Sequence, residues 1–268
     1  MILSMQPWRL IKSPPSDAFT NMATDEAIFH AVSKGSSPPT VRFYSWSPPA
    51  ISVGYFQDSI HEVNISACSE LGIDVVRRLT GGRAVLHDRE LTYSVICPED
   101  DPHFPDNILG TYKLISNCLI RGLNSIGLNA LLSPLVKKGS GTSSSACFAS
   151  PSNYELTVNG KKLVGSAQRR GSGVFLQHGS ILIECDREKL KEVLPGSEGF
   201  EKITSISEHL QVNQENVISS LTEGFEKVLA ISFTEGRMTD EEMALSQKYR
   251  LDRYSRWEWN YIKPSKMP

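Results

Sequence analysis

The chain has 268 residues, 40% of them hydrophobic, and a formal net charge of -2. That is enough apolar material for a full core in roughly one or two domains, and the charge balance gives no reason to expect a nucleic acid or a membrane surface as partner. The opening residues interrupt their apolar run with Trp8, Arg9 and Lys12, unlike a secretory leader, and no stretch reaches the ~20 apolar residues that span a bilayer, so the expected location is cytoplasmic.

In chain order, "TNMATDEAIFHAVSKG" predicts an amphipathic helix, with Thr20 or Asn21 as its cap, Asp25 and Glu26 early and Gly35 at its end. "VRFYSWSPPAISVGYFQ" reads as two short strands broken by Pro48 and Pro49. A helix around "ISACSELGI" precedes the strand "DVVRR", which runs into Thr80, Gly81 and Gly82. "RAVLH" and "LTYSVIC" follow as strands joined by a polar turn at Asp88 to Glu90. "NILGTYKLISNCLIRGLNSIGLNA" carries apolar residues at helical spacing and is the longest helix expected.

The texture then changes. "KKGSGTSSSACFASPSN" is rich in small polar residues and is expected to be a mobile loop. "YELTVNGKKLVGSAQ" reads as a hairpin around Asn159-Gly160, the preferred pair for a two-residue type I′ turn, and "GVFLQHGSILIE" adds a third strand. From about residue 187 the chain is acidic and helical. No internal repeat is visible. The expectation is an α+β fold: a single mixed, mainly antiparallel sheet with flanking helices, in one domain spanning 1–268.

Five cysteines at irregular spacing, without a CxxC pair, argue against a disulfide framework and against a zinc site. Cys68, Cys97, Cys118 and Cys185 lie in apolar patterns and read as small buried hydrophobes. Cys147 lies in the Ser-rich segment, upstream of the lysines of the hairpin. A thiolate there could act as a nucleophile favoured by a nearby ammonium; an ordinary loop cysteine is the alternative.

Gly81-Gly82 fits neither GxGxxG nor GxxxxGKS, so it gives no support for a nucleotide site. It permits close approach of a ligand or merely turns the chain. Arg77, Arg78, Arg83 and Arg89 in one segment, and Lys161, Lys162, Arg169 and Arg170 in another, would form a basic rim around a cleft if the segments are neighbours; otherwise they are a solvated face. His87 and His178 are candidates for acid-base work or ligand contact, or satisfied strand histidines. Across the Asn159-Gly160 turn, Thr157 is expected to face Lys162, and Leu156 to face Leu163. Period two puts the two lysines on opposite faces without saying which face lines the cleft.

"RRLTGGRAVLHDRELTYSV", "KLVGSAQRR" and "LQHGSILIE" together resemble the superfamily of lipoate-protein ligase A, octanoyltransferases and biotin protein ligases. Within it, "GGRAVLHDRELTYS" and "ACFASPSNYELTVNGKKLVGSAQ" are most similar to the LipM-type octanoyltransferases. The resemblance implies a biotin/lipoate ligase-like catalytic domain, and the chain is expected to act as a monomer. Its reaction would move an octanoyl group from acyl carrier protein to a lysine of an E2 lipoyl domain or glycine cleavage H protein, without metal or cofactor. By position, Cys147 matches the family's thioester-forming cysteine and Lys162 its invariant lysine. Arg78, Gly81, Gly82 and His87 match the acyl-pocket motif, and Gly165, Ser166 and Ala167 the facing strand; Arg77 beside them is expected to bind substrate as well. ATP-dependent ligases carry a third glycine and a "GN" where this chain has Arg83 and Glu90-Leu91, departures that favour transfer over adenylation. An octanoyl amidotransferase and a non-catalytic acyl-binding subunit are the remaining alternatives.

Overall fold

The computed structural model describes residues 7–133, 155–196 and 199–265. The segment expected to be a mobile loop, with Cys147, lies outside the described residues.

Strand β1 (Trp8–Lys12) leads into α1 (Ala18–Ser33), capped by the Asp17 side chain on the Thr20 N–H rather than by Thr20 or Asn21. Because the helix starts at Ala18, Asp25 lies two turns inside it, where it is buried. Then come β2 (Thr40–Tyr44) and β3 (Ala50–Val53), followed by the short helices α2 (Ser59–Glu62) and α3 (Ile65–Glu70). Strands β4 (Asp74–Arg77), β5 (Val85–His87) and β6 (Glu90–Pro98) bracket the glycine pair and the polar turn. The long helix is α4 (Ile108–Ser125), followed by β7 (Ala130–Leu132). The meander is β8 (Leu156–Val158), β9 (Lys161–Gly171) and β10 (Val174–Leu182). Beyond it lie α5 (Arg187–Val193), α6 (Gln214–Leu229), β11 (Phe233–Glu235), α7 (Asp240–Tyr249) and α8 (Trp257–Tyr261).

Among the described residues these strands form two sheets, not one. The larger has eight strands in the order β11-β1-β2-β6-β10-β9-β8-β7, and the smaller has the order β4-β3-β5. In the large sheet only the β11-β1 and β1-β2 pairings are parallel; the rest are antiparallel, as the α+β expectation requires. The split comes after β2: the turn through Pro48 and Pro49 carries the chain off the large sheet, and β3 to β5 bury Ile51, Val53, Val75 and Leu86 in a core of their own with α3 and α5. Strand β1 and the edge strands β7 and β11 carried no sequence signal.

Period two sorts the central strands. Tyr93, Val95 and Phe175 join Leu119, Leu123, Leu221 and Phe225 of α4 and α6 in the main core, while Ile96 and Leu176 pack on Ile28 and Phe29 of α1. Helices α4 and α6 meet through glycines: a Cβ on Gly224 would lie 2.3 Å from the Cys118 carbonyl oxygen. On the α1 side, the same alternation places Thr92, Ser94, His178 and Ser180 between the helix and the small sheet. Cys68, Cys97 and Cys118 are buried as expected, and burial pushes the Cys68 thiol up to about 11; Cys185, just past the end of β10, is only partly buried.

Candidate active site

The hairpin turn is of the expected type, with Asn159 at φ 51° and Gly160 at φ 76°. Thr157 pairs with Lys162 as expected, but the register slips between Leu156 and Thr157, so that Leu156 faces Val164 and not Leu163. An extra residue in β9 lets Leu163 and Val164 both enter the core. Lys161 is exposed, while Lys162 is buried with its Nζ 2.8 Å from Glu155 Oε1.

A narrow cavity of about 20 Å³ lies where α1, the small sheet and β6, β9 and β10 converge. Met22, Val85 and Ala167 supply apolar wall, Gly165 and Gly179 expose backbone, and Arg78 and His87 close one side. The glycine pair is packed against backbone: a Cβ on Gly54 would lie 2.0 Å from the Gly82 carbonyl oxygen, and Gly82 has φ 91°. Gly179 is equally constrained, because a Cβ there would meet Ser166 Oγ at 2.6 Å and Tyr93 Cε1 at 2.7 Å.

Two polar relays converge on Arg78. Its Nε donates to Thr80 Oγ1 at 3.1 Å; Thr80 lies 2.6 Å from His178 Nε2, and His178 Nδ1 lies 3.4 Å from Asp25 Oδ2. On the other branch its guanidinium donates to Ser52 Oγ at 3.1 Å; Ser52 lies 2.8 Å from His87 Nε2, and His87 Nδ1 lies 3.6 Å from Glu90 Oε2. Arg78 donates to both hydroxyls, and the Asp25 carboxylate facing His178 Nδ1 calls for a proton on that nitrogen, which leaves His178 Nε2 to accept from Thr80 Oγ1. Burial holds both imidazoles below their ordinary range; Arg78 adds to this, against the opposing pull of Glu90 on His87 and of Asp25 on His178. Burial alone would raise the Asp25 carboxyl, but His178 and Arg42 hold it below its usual value. Trp46 stacks on His87 at 4.0 Å and donates its indole N–H to Thr92 Oγ1 at 2.8 Å.

Of the positions singled out in the sequence, Arg78, His87, Gly165, Ser166 and Ala167 line this cavity, and His178 joins them. Gly81 and Gly82 border it through Arg78, which donates to the Gly81 carbonyl at 2.8 Å. Arg77 is elsewhere: it is fully buried and donates to the carbonyls of Gly54, Tyr55, Gln57 and Trp259. The basic rim is therefore largely absorbed. Arg89 pairs with Glu184 and Arg170 with Glu99, and Arg78 serves Ser52, Thr80, Gly81 and Arg83. Tyr44, Trp46 and Ser52 were missed, because they come from the β2-β3 connection and from strands paired far along the chain.

Residues 17–226 match the family described as lipoyl protein ligase A/B catalytic domain. The chain belongs to this family. It is 44% identical to a LipM octanoyltransferase of Kyrpidia tusciae, over 97% of this chain and 100% of that one, and 43% identical to that of Brevibacillus brevis, over 96% and 99%. A lipoate-protein ligase A solved with bound ATP superposes with a TM-score of 0.83 at 27% identity, covering 96% of this chain and 99% of the ligase. Among the described residues no helix is long and apolar enough to cross a membrane.

Proposed function

We propose that this family member is an octanoyltransferase of lipoyl synthesis, moving an octanoyl group from acyl carrier protein to a lysine of an E2 lipoyl domain or glycine cleavage H protein. The full-length likeness to LipM octanoyltransferases supports acyl transfer. The observation that carries the reading in this chain is the narrow, partly apolar cavity with Gly165, Ser166 and Ala167 on its wall, three residues beyond buried Lys162 on the same strand. We read the whole chain as one catalytic unit.

The reaction is a two-step exchange. Cys147 thiolate attacks the carrier thioester, the pantetheine thiol leaves, and the acceptor lysine amine then attacks the enzyme thioester. Lys162 supplies positive charge that favours the thiolate and the developing oxyanion, together with backbone N–H groups around Lys162 to Gly165. Gly81 and Gly82 let the acyl chain lie close to backbone, and the relays hold Arg78, His87 and His178 in fixed positions around it. Thioester becomes amide in the second step, so the transfer runs downhill without ATP.

The test is turnover by the purified protein with octanoyl-acyl carrier protein and either an E2 lipoyl domain or H protein, in the absence of nucleotide. Octanoylated acceptor and released carrier thiol are expected. A strict requirement for ATP with free octanoate would make the chain a ligase, and acyl binding without release of thiol would make it a non-catalytic subunit.

A further inference from the structure

Five hydroxyl-bearing side chains on the cavity wall differ in one respect. Ser52 is engaged with His87 and Arg78, Thr92 with Trp46 and Glu90, Ser166 with Tyr93, and Tyr44 with Asp25. Ser180 is 1% exposed, and its Oγ has no hydrogen-bond partner among the described residues. A buried hydroxyl left unpaired is costly, and native folds rarely retain one without a use.

Register says which part of the cavity this hydroxyl serves. Ser180 pairs with Gly165 of β9 and Thr92 of β6, whereas His178 pairs with Ala167. Two residues of strand separate these levels by about 7 Å. Ser180 therefore stands at the level nearer Lys162, and His178 and Ala167 at the level farther from it. An octanoyl thioester has a single strong hydrogen-bond acceptor, its carbonyl oxygen; the other end is an alkyl tail.

We propose that Ser180 Oγ is the hydrogen-bond donor to the acyl carbonyl oxygen, a further catalytic residue of the transfer. This rests on the function proposed above. As the Cys147 sulfur bonds to the carbonyl carbon, the carbonyl π pair moves onto oxygen, and the Ser180 O–H, keeping its proton, donates to the resulting oxyanion. When the pair returns, the carbon–sulfur bond to pantetheine breaks and the departing thiolate takes a proton from solvent. The tail then points toward His178 and Ala167.

The test is the single-turnover rate of acyl-enzyme formation for wild type and Ser180→Ala, followed by intact mass, with thermal midpoints measured alongside. A 10-fold to 100-fold slower acylation is expected, in the lower range for loss of one oxyanion donor. The midpoint should be equal or higher, because the removed hydroxyl makes no bond in the free protein. Acylation at the wild-type rate would overturn the assignment, and so would slower acylation with a lowered midpoint, which marks a structural hydroxyl. If wild type itself forms no acyl adduct while the fold is intact, the proposed function fails first and this assignment with it.

Discussion

Lys162 Nζ stands 2.8 Å from Glu155 Oε1, in a pair whose side chains are only 5% and 17% exposed. A largely buried ammonium depends on such compensation. Glu155→Leu should therefore destabilise the protein by about 2 kcal/mol, short of the ~3–5 kcal/mol for a fully buried pair because Glu155 keeps some contact with water. Urea unfolding of the variant measures this; an unchanged midpoint would mean that Lys162 draws its compensation from elsewhere.

Loss of the Lys162 charge should be felt at the proposed nucleophile. In Lys162→Ala the rate of Cys147 alkylation should rise at higher pH than in wild type, because a thiolate without a nearby cation forms less readily. Alkylation followed against pH reads this directly, and overlapping profiles would remove Lys162 from that role.

Asp25 anchors more than one partner. It accepts from Arg42 at 2.7 Å, Tyr44 at 2.9 Å and Ser94 at 3.1 Å, besides facing His178, and it is 2% exposed. Asp25→Ala leaves the buried Arg42 guanidinium without its counter-ion and should cost about 3–5 kcal/mol. Thermal unfolding of that variant checks it. Octanoyl transfer should also fall at temperatures where the variant is still folded, because His178 loses the group that fixes its tautomer.

Stability should fall as the solution is made acidic, earlier than carboxylate titration alone allows. Both His87 and His178 are held below the ordinary value of 6.5 in the folded state. Below about pH 6.5 the unfolded chain takes up protons that the folded chain refuses, so unfolding is favoured progressively. A thermal midpoint measured from pH 8 to pH 5 should be flat above pH 7 and decline below about 6.5. A double variant, His87→Gln with His178→Gln, should lose much of that decline.

The glycine pair offers a steric test. An added methyl at Gly54 falls 2.0 Å from the Gly82 carbonyl oxygen and must push the loop that carries Arg78 toward the cavity. Gly54→Ala should cost about 1–3 kcal/mol of stability and reduce acyl transfer by more than that loss of folded protein explains. Activity normalised to the folded fraction is the measurement.

What could be read from the sequence followed local chemistry. Asn159-Gly160 announces its own turn because both residues adopt positive φ, and the helical spacing of α4 needs no tertiary context. Arg77 was misread because charge density says nothing about burial: a guanidinium can be enclosed by backbone carbonyls as well as displayed. Asp25 reads as an early charge in a helix capped at Thr20 or Asn21, but the Asp17 cap starts the helix at Ala18 and leaves Asp25 two turns inside it. β7 and β11, three residues each, acquire their state from pairing partners, and β7 and β8 meet only across the segment that contains Cys147. The cavity wall depends on the contact between two sheets, which no single stretch encodes.

The central claim is a covalent octanoyl group on one sulfur. Intact mass of the protein after incubation with octanoyl-acyl carrier protein should show one octanoyl adduct on wild type, discharged by an acceptor domain, and none on Cys147→Ala. Full transfer activity by Cys147→Ala would contradict the account.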